Sequence, residues 1–479
     1  NTVGGYSTMD VTGGGGFPMG GDGINVNDTI VNNVGGIITA TGGEGDMHTS
    51  CTHAGMGGNG LVVGGIGSNY GILNGFGGTA SNQSSGTSSG GIGMVYGGLV
   101  TNYESGQVLA KGGVPNSVGS SARRGGTGIN FTGGIVNYSD SFRAEGASPT
   151  NSSASLATGG MGITVGPEQF WTTLSNATFD FKVENYGTIE AIGGVGSTTG
   201  SGVGVTGGDG MGVASYFWYN DVYSMTNVNL IAEVVNKGTI IATGGDAEST
   251  NASAATGGKG FTLGGGTVRT GMTLTVNSTS NYGVMVASGG DARSTGTGSS
   301  TGGWGMKLVG GTYNYGEMTA RGGLQLSGGG SGTETGGVGM ILEDGLTNYE
   351  GSYLTLLGSR SSTYANGAHA GQLGGTALGI GDDLPHGAWF KKGSFLSLGN
   401  ADYAAGLASG ASINANGLNV VFENDDPTWP EAMIISPATS ALGVGGKVTH
   451  TDFIVNTASD WGTGAGQIGV ASYTGPVMD

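Results

Sequence analysis

The chain has 479 residues, of which 109 are Gly and only 9 Pro, with 10% charged residues and a formal net charge of −18. Scarce Pro and no G-X-Y register exclude collagen, sparse charge with 36% hydrophobics argues against disorder, and so much Gly disfavours a helical enzyme. The acidic balance disfavours a phosphate-binding surface, making nucleic acid and anionic membranes poor partners; no apolar run is long enough for a membrane span.

In chain order, residues 1–19 read as an N-terminal arm. From residue 20 the block GGxG plus a short apolar run recurs ten times, starting at Gly20, Gly57, Gly90, Gly125, Gly159, Gly207, Gly257, Gly302, Gly336 and, in degenerate form, Gly374. A second block follows each copy: Asn, usually Tyr-Gly, an alternating run, then GG, as in NYGTIEAIGG and NKGTIIATGG. Its Asn positions are 33, 69, 102, 137, 185, 236, 281, 314 and 348, and Tyr follows at 70, 103, 138, 186, 282, 315 and 349. The period-two alternation predicts strands. No window carries an apolar stripe of helical length. The GG pairs are expected at corners, supplying positive φ or close backbone approach.

One such repeat cannot bury its apolar face alone, so the repeats must stack. The expected fold is therefore all-β: a β-solenoid, either β-helix or stacked β-arches, of about nine to ten coils over residues 20–399. At roughly 4.8 Å per coil the rod is on the order of 45 Å long. Asn69, Asn102, Asn281, Asn314 and Asn348 should lie in a line about 5 Å apart, and the Tyr rings should stack and bury apolar area. From GGxG to the next Asn the spacing is near 12 residues except in three consecutive repeats. There the segments Pro167–Glu184, Ala214–Val235 and Gly264–Ser280 are inserted at one equivalent position. They are expected as adjacent hairpins protruding on one side. Residues 400–479, where GG pairs thin out and Pro concentrates, read as a C-terminal β cap or docking module.

Blocks such as NKGTIIATGGDA and GGKGFTL resemble the repeats of β-helical bacterial surface passengers, the autotransporter and haemagglutinin-like adhesins, over about residues 20–399. The composition also resembles self-assembling envelope proteins: archaeal sheath or S-layer subunits and amyloid-like extracellular fibres. These resemblances imply a secreted right-handed β-helix used for adhesion or assembly. A start at Asn1 rather than Met agrees with a removed secretion signal. The repeat here, 33 to 51 residues from Asn to Asn, is longer than the coil usual in the adhesin family.

Candidate sites are few. Phe170, Trp171, Tyr216, Phe217, Trp218, Tyr219 and Tyr223 cluster in the first two insertions. Such aromatics suit a subunit contact, a sugar-stacking surface, or a side-core beneath the inserted strands. Asp46, His48, Cys51 and His53 are metal-ligand types, but their spacing matches no zinc finger. The lone Cys51 is a candidate inter-subunit disulfide. Asp246 and Asp291 should sit on neighbouring coils, with Arg293 near enough to neutralise them or Ca²⁺ to bridge them. Eight Asn-X-Ser/Thr triplets occur, among them Asn130 and Asn137, close to what chance gives. No Ser elbow, phosphate loop or paired catalytic acids are evident, so no enzyme activity and no cofactor are expected. The functional expectation is an extracellular structural protein whose partner is itself, forming a cell-surface sheath, lattice or fibre. The alternatives are an adhesin for glycans or host protein and, less favoured, a β-helix polysaccharide enzyme.

Overall fold

The computed structural model describes residues 2–3, 8–15, 19–47, 55–82, 87–117, 122–149, 156–166, 169–170, 174–199, 204–215, 218–219, 225–250, 254–265, 270–327, 334–342, 346–349 and 351–358, and the backbone of short strands between 378 and 455. All regular structure among them is β, and no helix is long and apolar enough to cross a membrane. Every named strand pairing is parallel, and the sheets are long, an arrangement compatible with a β-solenoid.

One repeat shows why. After Gly207–Gly208 the chain makes Met211–Val213, then Val228–Asn236, then Thr239–Thr243, then Ala247–Ser249, then Ala254–Thr256. Each strand pairs with its counterpart in the preceding and following repeats. The first kind forms an 11-stranded sheet, the second and third kinds a 13-stranded sheet each, and the fifth an 8-stranded sheet; the fourth kind falls into separate 3- and 4-stranded sheets. The residue four places after the first Gly of GGxG stays in register from Ile24 through Leu61, Met94, Ile129, Ile163, Met211, Phe261, Met306 and Met340 to Leu378. The strands at 413–414, 420–422, 431–435, 448–449 and 453–455 extend the same three large sheets.

Alternation decides the faces. In Thr239–Thr243 the buried residues are Ile240 and Ala242, and the same two places hold Ile38 and Ala40, Ile189 and Ala191, and Met318 and Ala320. These join the first- and second-sheet residues in one large apolar core. Ala157, Val205, Ala247, Ala255 and Ala292 form a second, smaller core between the fourth and fifth sheets.

Between the two cores runs a glycine seam. The second Gly of each pair donates its N–H across the repeat to the other glycine line: Gly208 to Gly194 O (2.8 Å), Gly245 to Gly208 O (2.7 Å), Gly258 to Gly245 O (2.8 Å) and Gly290 to Gly258 O (2.7 Å). The alternation continues from Gly21 to Gly337, with Ala147 as the one member that carries a side chain. A Cβ at Gly208 would stand 1.8 Å from Gly160 O, and one at Gly90 1.6 Å from Gly113 O. The GG pairs are thus needed for backbone-to-backbone approach in the interior. Among the described residues, positive φ falls elsewhere, on glycines that include Gly35, Gly166, Gly271 and Gly310 and on Asn176, Ala214 and Asn227.

Candidate interaction surface

The Asn-X corner between the second and third sheets organises the most regular surface. Asn32 Nδ2 donates to Asn69 Oδ1 (2.8 Å), Asn69 to Asn102 (2.8 Å), and so on through Asn137, Asn185, Asn236, Asn281 and Asn314 to Asn348. The nine amides are nearly fully buried. Most also donate to the carbonyl that opens the third-sheet strand one repeat on, as Asn236 does to Val284 O (2.9 Å). Each side chain therefore closes a corner that backbone groups alone leave open. The ladder begins one residue earlier than the sequence spacing indicates, at Asn32 and not Asn33. The first corner runs five residues from Asn32 to Ile37, like that from Asn102 to Gln107, whereas Asn69 to Ile72 takes three. The buried amide is fixed by strand register, which corner length does not disturb.

The residue after each ladder Asn faces out. Tyr70 stacks on Tyr103 (centroids 3.9 Å, 8° between planes), Tyr103 lies 6.2 Å from Tyr138, and Tyr138 stacks on Tyr186 (4.8 Å). A second run stacks Tyr282 on Tyr315 (4.6 Å, 3°) and Tyr315 on Tyr349 (4.0 Å, 11°). Lys237 takes the place between the runs, its Nζ 4.9 Å from the Tyr186 ring centre. The rings stack as expected and bury their faces on one another, while their edges stay open: Tyr138 and Tyr186 are 38% exposed, Tyr315 39% and Tyr282 50%. Beside the first run, the two long corners at Asn102 and Asn137 stand next to the short corner at Asn185. The step leaves a depression of about 450 Å³ lined by Glu104, Ser105, Tyr138, Asp140, Ser141 and Tyr186.

The insertions differ from the hairpin expectation. Thr178–Asn185, Val228–Asn236 and Met272–Asn281 are second-sheet strands lengthened to 8, 9 and 10 residues, paired in parallel with one another. Gln169–Phe170 likewise pairs in parallel with Trp218–Tyr219, and Leu174–Ser175 with Met225–Thr226. Among the described residues the inserted segments bond to their neighbours and not back on themselves, because in-register stacking already satisfies both arms. Their inner face carries Phe181, Val183, Val228, Leu230, Ala232 and Val234, all members of the large core. The outer-face positions Asn130, Thr164 and Thr262 of the first sheet are buried, while the equivalent Val62, Val95, Lys307 and Ile341 are half-buried. Extra burial thus falls on inserted repeats at Thr164 and Thr262 and on the uninserted repeat just before them at Asn130. Of the aromatic cluster, Phe170, Trp218 and Tyr219 are placed by their backbone only; Trp171, Tyr216, Phe217 and Tyr223 lie outside the described residues, as do His48, Cys51 and His53.

Asp246 and Asp291 do occupy neighbouring repeats. Asp291 N donates to Asp246 Oδ1 (2.8 Å) and Leu324 N to Asp291 Oδ1 (2.7 Å). Each carboxylate accepts a backbone N–H of the next repeat, the strong charge-assisted kind. Arg293 pairs with Glu248 (3.7 Å). The x position of GGxG repeats the device, with Asn59 N on Asp22 and Lys259 N on Asp209. Two of the Asn-X-Ser/Thr triplets are sealed by the fold, since Asn130 and Asn137 are 5% and 0% exposed. Sequence reading missed the seam and the depression; one depends on which glycines meet, the other on unequal corner lengths in adjacent repeats. No protein-family model, no curated protein and no solved structure matches the chain.

Proposed function

We propose that the chain is a β-solenoid of about ten coils that serves as an extracellular structural protein, assembling with copies of itself into a cell-surface sheath, lattice or fibre. The observation that carries this reading is the stack itself: every named strand pairing is parallel, so the pairing that joins one repeat to the next is one that the strands of a second copy can continue. In the third sheet Thr8–Thr12 pairs on one side with Ile37–Thr41 and, among the described residues, has no strand on the other. An edge of five residues offers several backbone hydrogen bonds, each worth about 1 kcal/mol net. Edges of this kind recruit further strands unless charge or Pro blocks them, and this one carries a single charged residue, Asp10. The reading includes secretion, no catalytic role and no cofactor.

The test is light scattering and electron microscopy of the purified chain beside Thr12→Pro, which removes an edge donor, since Gly13 N bonds inward to Thr41 O and the N–H of the residue before it points to the open side. The parent should form ordered polymers that the variant forms far more slowly. A parent that stays monomeric at high concentration overturns the proposal. A second reading, an adhesin for glycans, is favoured by the exposed Tyr run beside its acid- and hydroxyl-lined depression. Saturable glycan binding by a monomeric chain, lost in Tyr138→Ala, would select it.

A further inference from the structure

The tyrosine runs carry chemistry that stacking alone does not require. Neighbouring rings belong to the same chain, 33 or 34 residues apart in Tyr70–Tyr103, Tyr282–Tyr315 and Tyr315–Tyr349. Those three pairs combine centroid distances of 3.9, 4.6 and 4.0 Å with planes within 11° of parallel. In Tyr70–Tyr103 and Tyr315–Tyr349 the hydroxyls lie side by side. The Tyr70 phenol is held above its ordinary pKa first by a hydrogen bond with Tyr103, and that of Tyr315 likewise by Tyr349. With hydroxyl over hydroxyl in those two pairs, the ring carbons ortho to each oxygen also face one another, and the 4.6 Å, 3° stack of Tyr282 on Tyr315 brings its rings nearly as close. The rings are open to a soluble reagent, Tyr282 at 50% exposure.

We propose that these stacked pairs are sites of oxidative cross-linking, coupled to dityrosine by an extracellular haem peroxidase using hydrogen peroxide. Each phenol gives up one electron and its hydroxyl proton, leaving two phenoxyl radicals. A bond forms between the ortho carbons, and both rings regain aromaticity as each moves its ortho proton to oxygen. Two electrons and two protons reduce one hydrogen peroxide to two waters. The product staples adjacent repeats covalently and constrains the unfolded chain as a disulfide would, in a protein whose single Cys allows no internal disulfide. The inference does not depend on assembly, because both rings of a pair lie in one molecule.

The experiment is treatment of dilute, monomer-sized chain with a haem peroxidase and hydrogen peroxide, read by dityrosine fluorescence and by mass spectrometry of cross-linked peptides. Links are expected within Tyr70–Tyr103, Tyr282–Tyr315 and Tyr315–Tyr349, and none across Tyr186–Tyr282, where Lys237 intervenes. Tyr315→Phe keeps the stack but removes the phenol, so it should abolish both links of the second run and leave the first unchanged. Lys237→Tyr should create new links to Tyr186 and Tyr282. No dityrosine, links only between chains, or links to the exposed Tyr313 as frequent as those within the runs would overturn the proposal.

Discussion

Replacing Gly208 by Ala tests the glycine seam directly. The new Cβ would stand 1.8 Å from Gly160 O and 2.5 Å from Gly160 C, against 3.4 Å or more for ordinary contact. The obstacle is backbone, so no rotamer change relieves it; Gly208 and Gly160, successive members of the same glycine line, must part by more than an ångström. Parting them strains the bonds from Gly208 N to Gly194 O and from Gly245 N to Gly208 O. Overpacking of this kind costs about 1–3 kcal/mol. Two weakened buried hydrogen bonds add roughly 1 kcal/mol each, and the reduced freedom of the unfolded chain returns about 0.4–1 kcal/mol. The net expectation is a loss of roughly 3 kcal/mol. Gly204→Ala is the control: its nearest neighbour would be Ala254 O at 3.7 Å, so only the unfolded-state gain remains. Urea denaturation followed by circular dichroism should show a clearly lowered midpoint for Gly208→Ala and an unchanged or raised one for Gly204→Ala. If both variants unfold within about 0.5 kcal/mol of the parent, the seam is not a tight backbone contact and the reasoning fails.

Two further outcomes are expected. Asn236→Asp places a carboxyl in the buried ladder, facing the acceptors Asn281 Oδ1 and Val284 O; burial and acceptor neighbours raise its folded pKa above the unfolded value of about 3.9. Protonated, it can still donate to Asn281, so the variant's melting midpoint should approach the parent's below about pH 4 and fall away as pH rises through the folded pKa; a midpoint difference that does not vary with pH would count against the ladder. Phe181→Ala removes a fully buried ring contributed by an inserted strand and should cost about 3–5 kcal/mol, read in the same urea assay. A loss below about 1 kcal/mol would mean that the inserted strands are dispensable to the core.

The repeat, the strand alternation, the parallel in-register stacking and the positions of Asn69 through Asn348 in a line were all legible in the amino-acid order. They depend on a period that each repeat carries within itself: two residues for the pleat and 33 to 51 from Asn to Asn for the stack. Tertiary structure decided what depends on meetings between distant segments. A GG pair reads the same whether it turns a corner or touches another backbone; only the crossing of Gly194, Gly208 and Gly245 made it a seam between two cores. Asn32 and Asn33 are indistinguishable as letters, and the choice fell to Asn32 because Val31–Asn32 pairs with Ser68–Asn69. The insertions were visible as extra length, yet their parallel pairing came from neighbours that each offered an open strand of the same register. The Tyr rings stack because the period brings them together; they remain exposed because the Asn beside each one points inward, and on a strand the next side chain must point out.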